Sequence, residues 1–128
     1  MEKSKNRERV VLVTGISSGI GQATASVLSA RGFRVFGTMR GLIGANTVVR
    51  DVELVQLDVR SEESVRGCLR TVLERAGRLD ALVNNAGYTL VGALEETSIE
   101  EAKELFETNF FGVLRTSQAV LPIMREQG

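Results

Sequence analysis

Val10-Val11-Leu12-Val13-Thr14-Gly15-Ile16-Ser17-Ser18-Gly19-Ile20-Gly21 decides the fold. Four apolar residues, a glycine turn and an apolar-periodic segment read as a buried strand running into a helix. The glycines at 15, 19 and 21 suit a backbone that must approach a phosphate. A side chain at Gly15 or Gly19 would hold an anion away, and one at Gly21 would push the helix off the strand. The helix presents free N–H groups and the positive end of its dipole to that anion. The stretch implies a nucleotide site. Its G-x-x-x-G-x-G spacing differs from G-x-G-x-x-G, and a tight strand-to-helix turn without a ligand is the plain alternative.

Working outward, the pattern predicts strands over residues 10–14, 34–38, 53–57 and 79–84. It predicts helices over 19–31, 61–76 and 98–126. The first helix carries Ile20, Ala23, Val27 and Leu28 on one face, with Gly32 as its stop. Residues 41–52 are weakly patterned and read as a loop with at most a short helix. The second helix opens at Ser61, has Glu62 and Glu63 in its first turn, and carries the stripe Val65, Cys68, Leu69, Val72, Leu73 and Ala76 before Gly77. Ser98-Ile99-Glu100-Glu101 has capping-box spacing, and Pro122 is expected to kink the long helix it opens. Strands alternate with helices and no hairpin signal separates them. The fold class is therefore α/β, a doubly wound parallel sheet covered on both faces. Residues 1–9 form a charged tail and residues 10–128 a single domain.

Composition narrows the function. The 128 residues carry 16 basic and 16 acidic side chains, so net charge is +0 and general capture of nucleic acid or an anionic membrane is not expected. There is no histidine, which removes Ser-His-Asp and Cys-His catalysis and the usual zinc sites, and no metal is expected. The single cysteine, Cys68, cannot form an intrachain disulfide and reads as a small buried hydrophobe. No segment is long and apolar enough for a membrane span, and the charged N-terminus does not resemble a signal peptide. A cytoplasmic, reducing setting follows as the expectation.

Three more stretches fall at predicted strand ends. Arg40 follows the second strand, nineteen residues after Gly21, and no acidic residue occupies positions 37–40. An acid there suits the ribose 2′-hydroxyl of NAD, an arginine the 2′-phosphate of NADP, so NADP(H) is favoured and NAD(H) remains possible. A solvated surface arginine is the bland reading. Asp58-Val59 follows the third strand, where a carboxylate can accept a hydrogen bond from an adenine amino group; alone it is also an ordinary turn residue. Asn84-Asn85-Ala86-Gly87 closes the fourth strand, with amides able to tie neighbouring turns and a glycine that admits a ribose. In the long helix, Ala102, Leu105, Phe106, Asn109, Val113, Thr116 and Val120 form one stripe, which predicts a buried Asn109 in need of polar partners.

Together these motifs closely resemble the short-chain dehydrogenase/reductase family, co-linearly from about residue 10 to 128. The turn at 14–21 matches its cofactor turn, with Gly15, Ser17, Ser18, Gly19, Ile20 and Gly21 as contacts. Asp58 and Val59 match its adenine contact, and Asn85, Ala86 and Gly87 its fourth-strand motif. Asn109 matches the asparagine of its catalytic tetrad. The resemblance implies a Rossmann fold, here its first four strands. It also implies hydride transfer between NAD(P)(H) and a small-molecule carbonyl or alcohol, and a homo-oligomer in the full-length family. Members with an arginine matching Arg40 tend to use NADP(H).

One departure limits this. The family uses a serine and a Tyr-x-x-x-Lys pair, whose lysine lowers the tyrosine pKa. Here the one tyrosine, Tyr88, is followed four residues later by Gly92, and the lysines are Lys3, Lys5 and Lys103. The chain reads as the cofactor-binding half of a longer enzyme or as a truncated product. Without a fifth strand, an apolar edge at Leu79, Leu82 and Val83 is expected to be exposed, with marginal stability or association as the result. A non-catalytic NADP-binding or interaction module is the alternative. A methyltransferase ranks last, because it expects an acid where Arg40 stands.

Overall fold

The computed structural model describes residues 7–17, 19–44 and 46–128. Four strands, β1 (Val10–Val13), β2 (Arg34–Met39), β3 (Glu53–Gln56) and β4 (Ala81–Val83), form one sheet in the order β3-β2-β1-β4. All pairings are parallel, with Val11 opposite Val35 and Ala81, and Phe36 opposite Glu53. Helix α1 (Gly19–Ala30) links β1 to β2, and α2 (Glu62–Ala76) links β3 to β4. Among the described residues, 41–44 and 46–52 contain no regular helix or strand.

The strand period of two sorts β1 between two cores. Val10 and Leu12 join Phe36, Val65, Cys68, Leu69, Val72 and Val120 on one face. Val11 and Val13 join Ile16, Ala25, Val35 and Val49 on the other. Both faces are covered, which is why the strands read as continuous apolar runs rather than alternating ones. Gly37, inside β2, makes room for this packing: a Cβ there would lie 2.2 Å from Ile16 Cδ1.

Helix α2 follows its sequence signals. Ser61 caps it by accepting a hydrogen bond from the Ser64 N–H, and Gly77 ends it in the left-handed region at φ 72°. Cys68 is buried, and burial pushes its thiol up to about 12. Helix α1 corrects the expectation. Ile20 is 79% and Val27 52% exposed, and Ala23 is exposed too, while Gly21 and Ala25 are the buried positions. The start of the helix sits so close to the β1 turn that a Cβ at Gly21 would clash, while Leu28, as expected, packs half-buried against the core.

The expected long helix is three pieces. Helix α3 (Ile99–Phe106) begins with a complete Ser98–Glu101 capping box. A π turn spans Glu107–Phe111, and α4 (Gly112–Gln127) runs on through Pro122. Burial at Thr116 and Val120 follows the expected stripe, but at the π turn it falls one residue early, on Thr108 and Gly112 in place of Asn109 and Val113. Thr108, Gly112, Thr116 and Val120 are buried, whereas Asn109 and Phe106 are exposed, against the sequence expectation.

Strand β4 is the sheet edge beside β1, yet Leu79 is fully buried rather than exposed. The Gln127 side chain accepts from the Leu79 N–H at 2.8 Å and donates to its carbonyl at 2.7 Å, so the end of α4 satisfies this stretch of backbone. Leu82 and Val83 are half-buried. Of the predicted tail, residues 7–9 are exposed and residues 1–6 lie outside the described residues. No helix among the described residues is long and apolar enough to cross a membrane.

Candidate functional site

The carboxyl ends of all four strands open into one cleft of about 1110 Å³. In an open parallel sheet this is where the loops diverge, here between β2 and β4 on either side of β1, and where ligands bind. Gly15, Ser17, Gly19 and Ile20 line it from the β1 turn, and Arg40 from the end of β2. Asp58 and Val59 contribute from the end of β3, and Asn85, Ala86 and Gly87 from the end of β4. Gly21 lies beneath the turn rather than on the cleft wall, Asn109 stands outside the wall, and Ser18 lies outside the described residues.

Side chains sew these turns into one rigid floor. Thr14 Oγ1 accepts from the N–H groups of Asn85 at 3.0 Å and Ala86 at 2.9 Å. Asn85 Nδ2 donates to the Gly15 carbonyl at 2.8 Å. The Gly15 N–H donates to Thr38 Oγ1 at 3.2 Å, and the Ile16 N–H to the Thr38 carbonyl at 2.9 Å. Thr14 and Thr38, each 1% exposed, are functional supports that the sequence reading passed over. Their signal was a threonine closing each of the first two strands expected from the sequence, 10–14 and 34–38.

The glycines divide the work differently from the expectation. Gly15 has φ +70° and lines the cleft, and a Cβ there would meet Ala86 Cα at 2.8 Å, so its smallness also serves the β4 turn. At Gly21 a Cβ would lie 2.2 Å from the Gly15 carbonyl oxygen and 2.3 Å from Asn85 Nδ2. Only Gly19, at φ +62° and with nothing within 4 Å of its Cβ position, faces open space. An anion at the start of α1 would use that space, against backbone N–H groups and the helix dipole.

At the other end, Asp58 is held by a residue the sequence reading did not single out. Arg60 donates from Nε to Oδ1 at 3.0 Å, from Nη2 to Oδ2 at 2.9 Å, and from its backbone N–H to Oδ1 at 3.0 Å. The Arg60 guanidinium beside Asp58 holds its carboxyl below the usual range, with Arg40 adding to the effect and burial opposing it. A carboxylate has lone pairs to spare beyond these bonds, so Asp58 stays an ionised acceptor at the cleft. Arg40 is exposed on the cleft wall and forms no ion pair among the described residues.

Asn109 grips the loop after β4. Its Nδ2 donates to the Tyr88 carbonyl at 2.7 Å and its Oδ1 accepts from the Tyr88 N–H at 3.0 Å. A Cβ on Gly87 would lie 2.9 Å from Asn109 Oδ1, so that glycine admits the amide. Asn84 anchors the same loop to α4, accepting from Thr116 Oγ1 at 2.7 Å and donating to Ser117 Oγ at 3.1 Å.

Comparison with known proteins agrees with this geometry. The family profile described as short chain dehydrogenase matches residues 9–128. The 3-ketodihydrosphingosine reductase of Bacteroides thetaiotaomicron is 41% identical over 118 residues, covering 92% of this chain and 43% of that protein. A short-chain dehydrogenase from Streptomyces avermitilis superposes with a TM-score of 0.84 at 44% identity, over 94% of this chain and 46% of the other. An actinorhodin polyketide ketoreductase solved with NADPH gives 0.86 at 37% identity, over 94% and 49%. The chain thus spans about half the length of the relatives it matches. With its 3-2-1-4 parallel sheet, its Gly15–Gly21 turn and a profile match over nearly its whole length, the chain belongs to the short-chain dehydrogenase family.

Proposed function

We propose that the chain is the NADP(H)-binding half of a dehydrogenase/reductase that transfers hydride between NADP(H) and a small-molecule carbonyl or alcohol. The observation that carries this reading is the exposed Arg40 on the cleft wall, without an ion-pair partner among the described residues and with no acid at positions 37–40. Gly19 leaves room for the pyrophosphate at the start of α1, and Asp58 offers an ionised acceptor for the adenine amino group. NADP(H), when bound, supplies or accepts the hydride. The chain's own residues bind and orient it: Arg40 at the 2′-phosphate, Ser17 and Ile20 along the turn, Val59 and Ala86 as apolar walls, Gly87 beside the ribose. Asn109 supports the site by fixing the Gly87–Tyr88 backbone. A cytoplasmic, reducing setting suits a chain with one buried thiol.

Titration of NADPH and NADH by fluorescence tests the reading. NADPH binds about tenfold or more tightly, in the range of a charge-assisted hydrogen bond of about 1.5–3 kcal/mol, and Arg40→Ala removes the difference. Equal affinities for the two cofactors in the unmutated chain would overturn it.

A non-catalytic NADP-binding module is the second reading: the one tyrosine of these residues, Tyr88, is followed four positions later by Gly92 rather than by a lysine. On either reading the 128-residue chain binds NADPH without turnover across a panel of ketones and aldehydes. Turnover by this chain would eliminate the module.

A further inference from the structure

A second concavity, of about 590 Å³, lies between α2 and α4 and shares no residue with the cleft. The two helices run parallel. Arg115 Nη1, early in α4, donates to the Val59 carbonyl at 2.7 Å, just before α2 begins, and Gln127, at the end of α4, holds the Leu79 backbone just after α2 ends. The walls of the groove, Val65 to Leu73 and Arg115 to Ile123, are each about 12 Å long at the helical rise. Val65 and Leu69 form an apolar floor, 2% and 6% exposed. On the α4 wall the small side chain of Ala119 keeps the space open.

The groove has a polarity along its length. Its charged residues fall toward the end where both helices begin, and Leu73 and Ile123 close the other end. Arg115 is occupied, by the Val59 carbonyl and by Glu107 Oε1 at 2.5 Å. Arg66 and Arg70 are not. They stand one turn apart on α2, where like charges repel, and both are exposed on the rim without an ion pair among the described residues. Glu62, one turn before Arg66, makes no ion pair with it either. A protein helix would need projecting apolar anchors, and none of the strongly exposed large hydrophobics belongs to this groove. A recessed apolar floor beneath a cationic rim suits a single narrow chain with an anionic head. We propose that the α2–α4 groove binds a fatty carboxylate, its head on Arg66 and Arg70 and its hydrocarbon chain running past Leu69 and Ala119 toward Leu73 and Ile123. The guanidinium fork matches a planar carboxylate, and the chain gains by leaving water. The site is independent of the NADP(H) reading.

Nuclear magnetic resonance titration of the 128-residue chain with sodium dodecanoate, below its micelle-forming concentration, tests this. Binding saturates at one site, and the amide shifts centre on Arg66, Arg70, Ala119 and Ile123 with or without NADPH. Arg66→Gln combined with Arg70→Gln weakens dodecanoate about tenfold and leaves the affinity for dodecanol, which lacks the charge, unchanged. The melting temperature of this variant is no lower than the parent's, because the two charges it removes repel each other. Ala119→Met, which fills the groove, removes dodecanoate binding; should that variant fail to fold, the arginine variant decides alone. Acetate, a head without a chain, does not bind. Absence of saturable binding would overturn the proposal, as would shifts centred on Phe106, Phe110 and Phe111 or undiminished affinity in the arginine variant. An acidic amphipathic helical peptide that occupies the groove more tightly than dodecanoate would overturn it in favour of a protein partner. A doubled sedimentation mass that Ala119→Met reverses would overturn it in favour of a second copy of the chain.

Discussion

Asp80 ties two elements at the amino end of the sheet. Its Oδ2 accepts from the Val10 N–H at 2.8 Å, and both its oxygens take the Arg78 guanidinium. Arg78 beside it, with the Val10 N–H, holds the carboxyl at about 2, below its ordinary 3.8. The folded value is depressed, so the stability it contributes is fully present above pH about 4 and is lost as pH falls toward 2. Urea unfolding followed from pH 7 to pH 2.5 therefore shows a loss of stability below pH 4 that Asp80→Asn flattens. An identical acid slope in the variant would contradict the assignment. Other residues near the site were legible by type but not by reason. The need for glycine at 15 was readable from the turn, but the atom it spares is Ala86 Cα, in the turn after β4 about seventy residues away. No spacing rule reaches that far along the chain.

Among the elements, α2 was readable nearly whole, because a capped amphipathic helix is specified by its own periodicity and terminal residues. Helices α1 and α3–α4 were readable in existence and ends but not in orientation. The π turn at Glu107–Phe111 moves burial from Asn109 to Thr108, and a strict 3.6-residue count cannot anticipate it. The consequence is testable at Asn109, whose amide reaches outward to both backbone groups of Tyr88. Asn109→Ala costs about 1 kcal/mol, the net of two exposed hydrogen bonds, rather than the larger penalty of an orphaned core amide. It also speeds hydrogen exchange at the Tyr88 amide. Exchange at Tyr88 unchanged from the parent would show that the clamp does not hold the loop in solution.

Across the whole molecule, the order of strands and helices was sufficient for the parallel sheet and for the cleft at its carboxyl end. Local apolar runs and glycine stops mark the elements, and the crossover geometry leaves few ways to join them. The apolar surface expected at β4 is displaced. Gln127 closes over Leu79, and among the exposed large hydrophobics are five from the α3–α4 segment, Phe106, Phe110, Phe111, Leu114 and Leu121. The sequence by itself determined the strand and helix order, the glycine turn, the absence of an acidic residue at positions 37–40 where Arg40 stands, and the absence of a Tyr-x-x-x-Lys pair among the 128 residues. These are properties of neighbouring residues or of simple composition. Only the tertiary structure decided that Arg60 clamps Asp58, that Thr14 and Thr38 sew the turns together, that Asn109 faces outward, and that the Thr108 hydroxyl is left without a partner among the described residues. Each depends on atoms brought together from separate elements or on one irregular helical turn, and neither leaves a period in the chain.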